Sequence, residues 1–190
     1  MSRAVLLVLA GTSGAGKGTL GRRLLEVDPG LQWSVSWTSR APRPGEVPGV
    51  DYHFVTREEF ERVRDEGGFL EWFDVYGDLK GTPRKFVDDA LAAGHDVLLE
   101  LDVHGSLAVR EKIPEALLVF VKAPSREEQR RRLEARASDD PEAIERRLAR
   151  AAAEEQIAQE RFDAVIVNND IEQAVRELAA IVESRRTGAR

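Results

Sequence analysis

The stretch from Ala4 to Thr19, A-V-L-L-V-L-A-G-T-S-G-A-G-K-G-T, restricts what this chain can fold into more than any other. An apolar run, Val5 to Leu9, stops at a cluster of glycines (Gly11, Gly14, Gly16, Gly18) that contains Lys17, and a helical spacing of Leu20, Leu24 and Leu25 follows. That order reads as strand, phosphate loop, helix. The glycines let the backbone N–H groups from Gly11 through Thr12, Ser13, Gly14, Ala15 and Gly16 turn toward one spot, and the helix N-terminus behind them favours negative charge. A polyphosphate fits there, with Lys17 reaching its outer phosphates. The pattern G-x-x-x-x-G-K normally continues with Ser or Thr, whereas here Gly18 takes that place and Thr19 comes one residue late. Either Thr19 supplies the usual Mg²⁺ ligand, or the ion is held by phosphates and waters.

With 190 residues and 42% hydrophobic content, the chain supports one core with small inserted lobes. It has no cysteine, which excludes disulfides and thiolate metal sites. Met1-Ser2-Arg3 leads directly into the first strand and no apolar run approaches spanning length, so we expect a cytoplasmic protein with no membrane partner. A net charge of −6 argues against a nucleic-acid partner, yet the basic residues are five lysines and 23 arginines. Guanidinium forks suit bidentate contacts with phosphate.

Further along, Leu31–Thr38 alternates as a strand. A turn-rich loop, S-R-A-P-R-P-G-E-V-P-G, follows, with Arg40 and Arg43 held apart by Pro42 and Pro44 as a fixed anion cradle. Tyr52–Val55 reads as a short strand, Thr56 and Glu59 as a capping box, Gly67-Gly68 as that helix's end, and Phe69–Tyr76 as a strand containing Glu71. Thr82-Pro83 is expected to open a helix that Gly94 closes. The run from Asp96 ends in Glu100 and Asp102, two residues apart and so on one side of a strand, at the end where open α/β sheets bind ligands. Ala116–Val121 is another buried-type strand, and Ser125 and Glu128 cap an arginine-rich helix. Ala164–Val167 is the last strand, before Asn168 and a closing helix. Strand and helix alternate except between about Arg40 and Pro83, which predicts an α/β fold whose parallel sheet is covered on both faces, with an inserted lobe and a second, smaller one near 126–150. His53, His95 and His104 show no metal-like spacing.

Taken in order, the phosphate loop, S-x-S-x-x-S-R-A-P-R-P-G-E, G-x-D-Y-H-F, F-L-E-W and L-E-L-D-V-H-G resemble the guanylate kinase family over roughly residues 4 to 185. The resemblance implies a P-loop NTPase core (1–39, 84–125, 151–190), a GMP-binding lobe (40–83) and a small helical lid (126–150). It implies ATP and GMP as substrates and Mg²⁺ as cofactor. By matching position, the GMP phosphate falls to Arg40, Arg43 and Tyr52, the guanine to Ser36, Glu71, Thr82 and Asp102, and charge stabilisation to Arg132, Arg136 and Arg147 of the lid. Arg130, Arg131, Arg146 and Arg150 read as a solvated face. Glu100 either joins the metal's water shell or arranges the neighbourhood of Arg40; Asn168 either edges the adenine of ATP or caps a helix.

Chemistry agrees on the base. Guanine carries donors at N1 and N2 that an ionised Glu71 can accept, whereas adenine N1 is an acceptor and would oppose carboxylate lone pairs. Thr82 can donate to guanine O6. Where the family often has two tyrosines in the lobe, this chain has Leu79 and Lys80, and the lysine can hold a phosphate as a point charge. Thr12 replaces a frequent Pro, and Ala137 a common Gly. A kinase-like binding module is the rival reading, disfavoured by the intact glycines and Lys17. The G-K-G-T ending is common in adenylate kinases, but Glu71 and Asp102 favour guanine.

Overall fold

The computed structural model describes residues 4–75, 77–135 and 141–188. Five parallel strands form the main sheet in the order β2 (Leu31–Trp33), β7 (Asp96–Glu100), β1 (Leu6–Gly11), β8 (Leu117–Lys122), β9 (Ala164–Val167). The central strand β1 is apolar on both faces because both are covered. Its residues alternate between two cores: Leu7 and Leu9 pack with Leu20 and Leu24 of α1 (Lys17–Val27) and Val175, Leu178 and Val182 of α7 (Ile171–Thr187), whereas Leu6 and Val8 pack with Val87 of α3 (Arg84–Ala92) and Val109 of α4 (Val103–Lys112). The phosphate loop therefore leaves the best-buried strand of the sheet.

A second sheet of four strands runs β4 (His53–Phe54), β3 (Trp37–Thr38), β6 (Asp78–Pro83), β5 (Phe69–Val75). Its own small core is Phe60 of α2 (Arg57–Asp65), Phe69 and Leu79, with the Phe60 and Phe69 rings stacked at 4.3 Å. Thr56 caps α2 by accepting from Glu59 N, and the Gly67 and Gly68 amides close its end on the Arg64 and Val63 carbonyls, as the spacing predicts. Helices α5 (Arg126–Ala135) and α6 (Pro141–Arg161) pack through Leu133, Ile144 and Leu148. α6 continues without a break across residue 150.

Three elements differ from the sequence expectation. Leu31–Thr38 is not one strand: Ser34 N makes the last bond to the main sheet, at Leu98 O, and Ser36 O already accepts from His53 N in the second sheet. Alternation is the same in both pieces, so the pattern could not reveal the change of partner. Thr82-Pro83 opens the expected helix, with Pro83, in extended backbone, as the N-cap of α3, but it also forms the end of β6, which the pattern did not show. Finally, Glu100 and Asp102 do not share a strand face. β7 stops at Glu100, and Asp102 is the N-cap of α4, a helix the pattern did not predict, accepting from Gly105 N at 2.8 Å.

The far end of the sheet is tied by Arg186 of α7, which donates to both Asp28 and Asp96, while Asp96 Oδ1 also accepts from Val5 N. Asp96 is only 7% exposed. Its loss leaves the buried Val5 amide without its acceptor and takes one of the carboxylates from the Arg186 guanidinium, which keeps Asp28 and Glu183. Asp96→Ala is expected to cost about 3 kcal/mol of unfolding free energy; a loss below about 1 kcal/mol in denaturant unfolding would contradict this clamp.

Candidate active site

The phosphate loop owes its shape to close approaches. A Cβ built on Gly11 would lie 2.1 Å from Val121 O, so β1 can sit against β8 only with glycine there, and Thr12 N then donates to the same carbonyl. Gly16, the N-cap of α1, has a left-handed backbone (φ 85°), and a Cβ on it would meet Asn168 Nδ2 at 2.6 Å. Asn168 is buried and donates from Nδ2 to Ala15 O at 2.8 Å, bracing the loop from the end of β9. It caps no helix; Asp170 caps α7, by accepting from Gln173 N. Lys17 Nζ donates to Gly11 O at 2.7 Å and Thr12 O at 3.4 Å. The Thr12 hydroxyl is buried with no partner among the described residues.

Helices α5 and α6 reach the loop directly. Gln129, 2% exposed, donates to Ser13 O, and Arg147 Nη1 donates to Ser13 Oγ at 2.9 Å. Arg132 accompanies them, donating to Glu128 and to Asn168 O. Arg136 and Ala137 lie outside the described residues. Of the arginines read as a solvated face, Arg130, Arg131 and Arg146 pair with exposed or half-buried glutamates, but Arg150 approaches Asp102 Oδ2 at 3.4 Å.

Glu100 lies where the loop lacks its hydroxyl. A Cβ on Gly18 would be 3.3 Å from Glu100 Oε2, so the carboxylate fills the space beside Gly18 that a Ser or Thr would need. Arg40 is arranged instead by Glu46, a residue to which the sequence reading gave no role. Arg40 Nη1 and Nη2 each donate to one Glu46 oxygen at 2.6 Å, and Arg43 N donates to Glu46 Oε2. The pairing with Arg40 holds the Glu46 carboxyl down at about 2, well below its usual range.

Arg40 and Lys80 flank Tyr52, with the guanidinium carbon 5.1 Å and the ammonium 5.0 Å from its ring centroid, and Lys80 Nζ also donates to Tyr52 Oη. Register brings Lys80 to this place, opposite Thr38 on β3. Arg43 is exposed, and its side chain makes no hydrogen bond or ion pair among the described residues.

Across the lobe, Glu71 is 6% exposed and accepts from Thr82 Oγ1 at 2.6 Å. A register shift between Phe69 and Trp72 produces this. Phe69 pairs with Pro83 and Trp72 with Gly81, so Leu70 and Glu71 together oppose Thr82. Such a bulge re-aims a side chain that simple alternation would send elsewhere. Asp102 is close by, since a Cβ on Gly105 would be 3.4 Å from both Asp102 Oδ1 and Glu71 Oε2. Burial pushes the Glu71 carboxyl up to about 7, against the Thr82 hydrogen bond, with the nearby Asp102 charge adding to the rise. Ser36 is half-buried, and among the described residues its bond here is through its backbone carbonyl, which accepts from His53 N.

A parallel sheet with this loop at the end of its central strand defines a P-loop phosphotransferase fold. Shikimate kinase from Bacteroides thetaiotaomicron has the same fold at 18% identity, TM-score 0.55, over 94% of this chain and 98% of that one. The guanylate kinase family model matches residues 3–185, and the chain belongs to that family. It is 51% identical to guanylate kinase of Rubrobacter xylanophilus over 96% of this chain and 95% of that protein. It superposes on the crystal structure of guanylate kinase from Anaplasma phagocytophilum with a TM-score of 0.80, at 36% identity, over 97% of this chain and 87% of that one.

The raised Glu71 carboxyl has a consequence for stability. The unfolded chain ionises it near 4.5 and the folded chain near 7, so the proton favours the folded state; that contribution is full below about 4.5 and lost as pH rises through about 7. Glu71→Gln is expected to raise the melting temperature more at pH 8 than at pH 5. An equal change at both would mean that Glu71 is not the buried acid described.

Proposed function

We propose that the chain transfers the γ-phosphoryl group of ATP to GMP, giving ADP and GDP. The observation that carries the reading is the buried Glu71 between Thr82 and Asp102, reached from the lobe that also holds Arg40, Arg43, Tyr52 and Lys80. Glu71 and Asp102 accept from guanine N1–H and N2–H, Thr82 donates to O6, and Ser36 lines the same site. The phosphate of GMP lies against Arg40, Arg43, Tyr52 and Lys80. ATP occupies the loop from Gly11 to Thr19. Residues 40–83 act as the acceptor lobe, 126–150 as the lid, and the remainder as the core.

A phosphate monoester is already anionic near neutral pH, so the attacking oxygen needs no side-chain base. Catalysis is then charge placement. Lys17, the loop amides, Arg132, Arg136 and Arg147 neutralise negative charge spreading over the moving phosphoryl oxygens, while the acceptor cations hold GMP in line. Glu100, beside Gly18, is a hard oxygen donor that would hold Mg²⁺; Thr19, the other candidate ligand, is exposed on α1, and phosphates and waters would complete the shell. Held there, Mg²⁺ would supply positive charge to offset that of the phosphates. Closure of the lid keeps water from replacing GMP as acceptor. No helix among the described residues is long and apolar enough to cross a membrane; the reading places the protein in the cytoplasm with its substrates.

Two substitutions test the roles. Glu71→Gln should raise the KM for GMP and lower kcat/KM roughly 100-fold or more, leaving the KM for ATP unchanged; an unaltered KM for GMP would remove Glu71 from the base site. Lys17→Ala should lower kcat by roughly 100-fold or more with little effect on GMP affinity. Comparable losses in both would show that Lys17 does not act on the transferring group.

A further inference from the structure

Arg40 offers two edges from which a pair of parallel N–H bonds can be made: the end of the fork, formed by Nη1 and Nη2, and the side, formed by Nε and Nη2. Glu46 takes the end. Its two oxygens accept from Nη1 and Nη2 at 2.6 Å each, and the remaining Nη1 hydrogen goes to Ala41 O at 2.9 Å. Nε and the second hydrogen of Nη2 have no partner among the described residues. The face of the guanidinium is covered by aromatic rings, its carbon lying 5.1 Å from the Tyr52 centroid and 5.6 Å from that of Phe54. The Arg40 side chain is 9% exposed. One edge is taken and the plane is stacked, so the group presents one remaining edge to an incoming anion. Glu46 is itself fixed, by the amide of Arg43 two residues before the Gly45 turn ends.

We propose that Glu46 is a positioning residue for the acceptor phosphate. It holds Arg40 end-on so that the Nε–Nη2 side faces that phosphate, and its carboxylate is not the competitor of the phosphate that its charge suggests. The idea rests on the reading of Arg40 as a GMP phosphate contact. Bidentate pairing requires a fixed plane, and a guanidinium free to rotate would meet the phosphate with one bond or none. Charge follows the same division. Arg40 and Glu46 sum to neutrality, so the net positive charge that meets the phosphate comes from Arg43 and Lys80, while Arg40 contributes direction.

The test compares dissociation constants of GMP and guanosine by calorimetry, for the unchanged protein, Glu46→Gln, Glu46→Ala and Arg40→Ala. Guanosine has the base and lacks the phosphate, so its binding also reports that each variant is folded. Both Glu46 variants should weaken GMP roughly tenfold and leave guanosine unchanged, and Glu46→Gln made in the Arg40→Ala protein as a double variant should weaken GMP no further than Arg40→Ala alone. Tighter GMP binding in the Glu46 variants would make Glu46 a competing anion and overturn the proposal, as would equal effects on GMP and guanosine. If Arg40→Ala weakens GMP alone and the Glu46 variants do not, the Arg40 reading stands and the role of Glu46 falls. If Arg40→Ala leaves the ratio of the two constants unchanged, Arg40 does not contact the phosphate and both fall.

Discussion

Between Gly11 and the carbonyl of Val121 there is no room for a side chain, and the rest of the site depends on that contact. It lets β1 and β8 stay in register to their last residues, so that the chain leaves the sheet at a fixed point and turns at once into α1. The loop is then held from outside: Asn168 bonds Ala15 O, and Gln129 and Arg147 bond the two oxygens of Ser13. Three separate stretches of chain therefore converge on six loop residues. The bracing fixes the loop backbone, whose Thr12 and Ala15 amides already donate to Val121 O and Thr12 O.

The second sheet, the acceptor lobe of the proposed function, applies the opposite principle around Glu71. A carboxylate is buried at Glu71, accepting from Thr82 with a second acid beside it; burial, and then the Asp102 charge, raise its pKa to about 7 and disfavour its ionised form in the free protein. On the proposed reading, guanine supplies the missing donors. At the other end of the lobe the cations are gathered round Tyr52, with Glu46 as the internal counter-charge. In the function proposed above, base selection would thus come from desolvation, and phosphate contact from oriented positive charge.

Much of this was legible in the sequence because it lies in local pattern. The loop, the caps at Thr56 and Ser125, the buried strands and the two inserted segments all follow from periodicity and turn chemistry over a few residues. What escaped depends on partners far along the chain. Ser34 and Ser36 look alike in sequence but belong to different sheets, and Glu71 turns inward because β5 has one more residue than β6 at that point. Helix α4 has almost no apolar stripe, so Asp102 passed for a strand residue, although Asp102 before the helix and Arg110 and Lys112 at its end were a usable signal. Glu46 stood in the very motif that pointed to Arg40; its pairing spans a Pro-Gly turn, which spacing alone does not resolve. Gln129 shares a helix face with Arg132, but nothing in its surroundings marked it as a loop contact.

The most direct test is ADP formation from ATP and Mg²⁺ with GMP, AMP, CMP or UMP added singly, against a control without acceptor. We expect turnover with GMP far above that with the other three. Equal or greater turnover with another monophosphate would keep the fold and contradict the assignment of Glu71, Thr82 and Asp102 to guanine. No turnover with any of them, in folded protein that binds ATP, would contradict phosphoryl transfer itself.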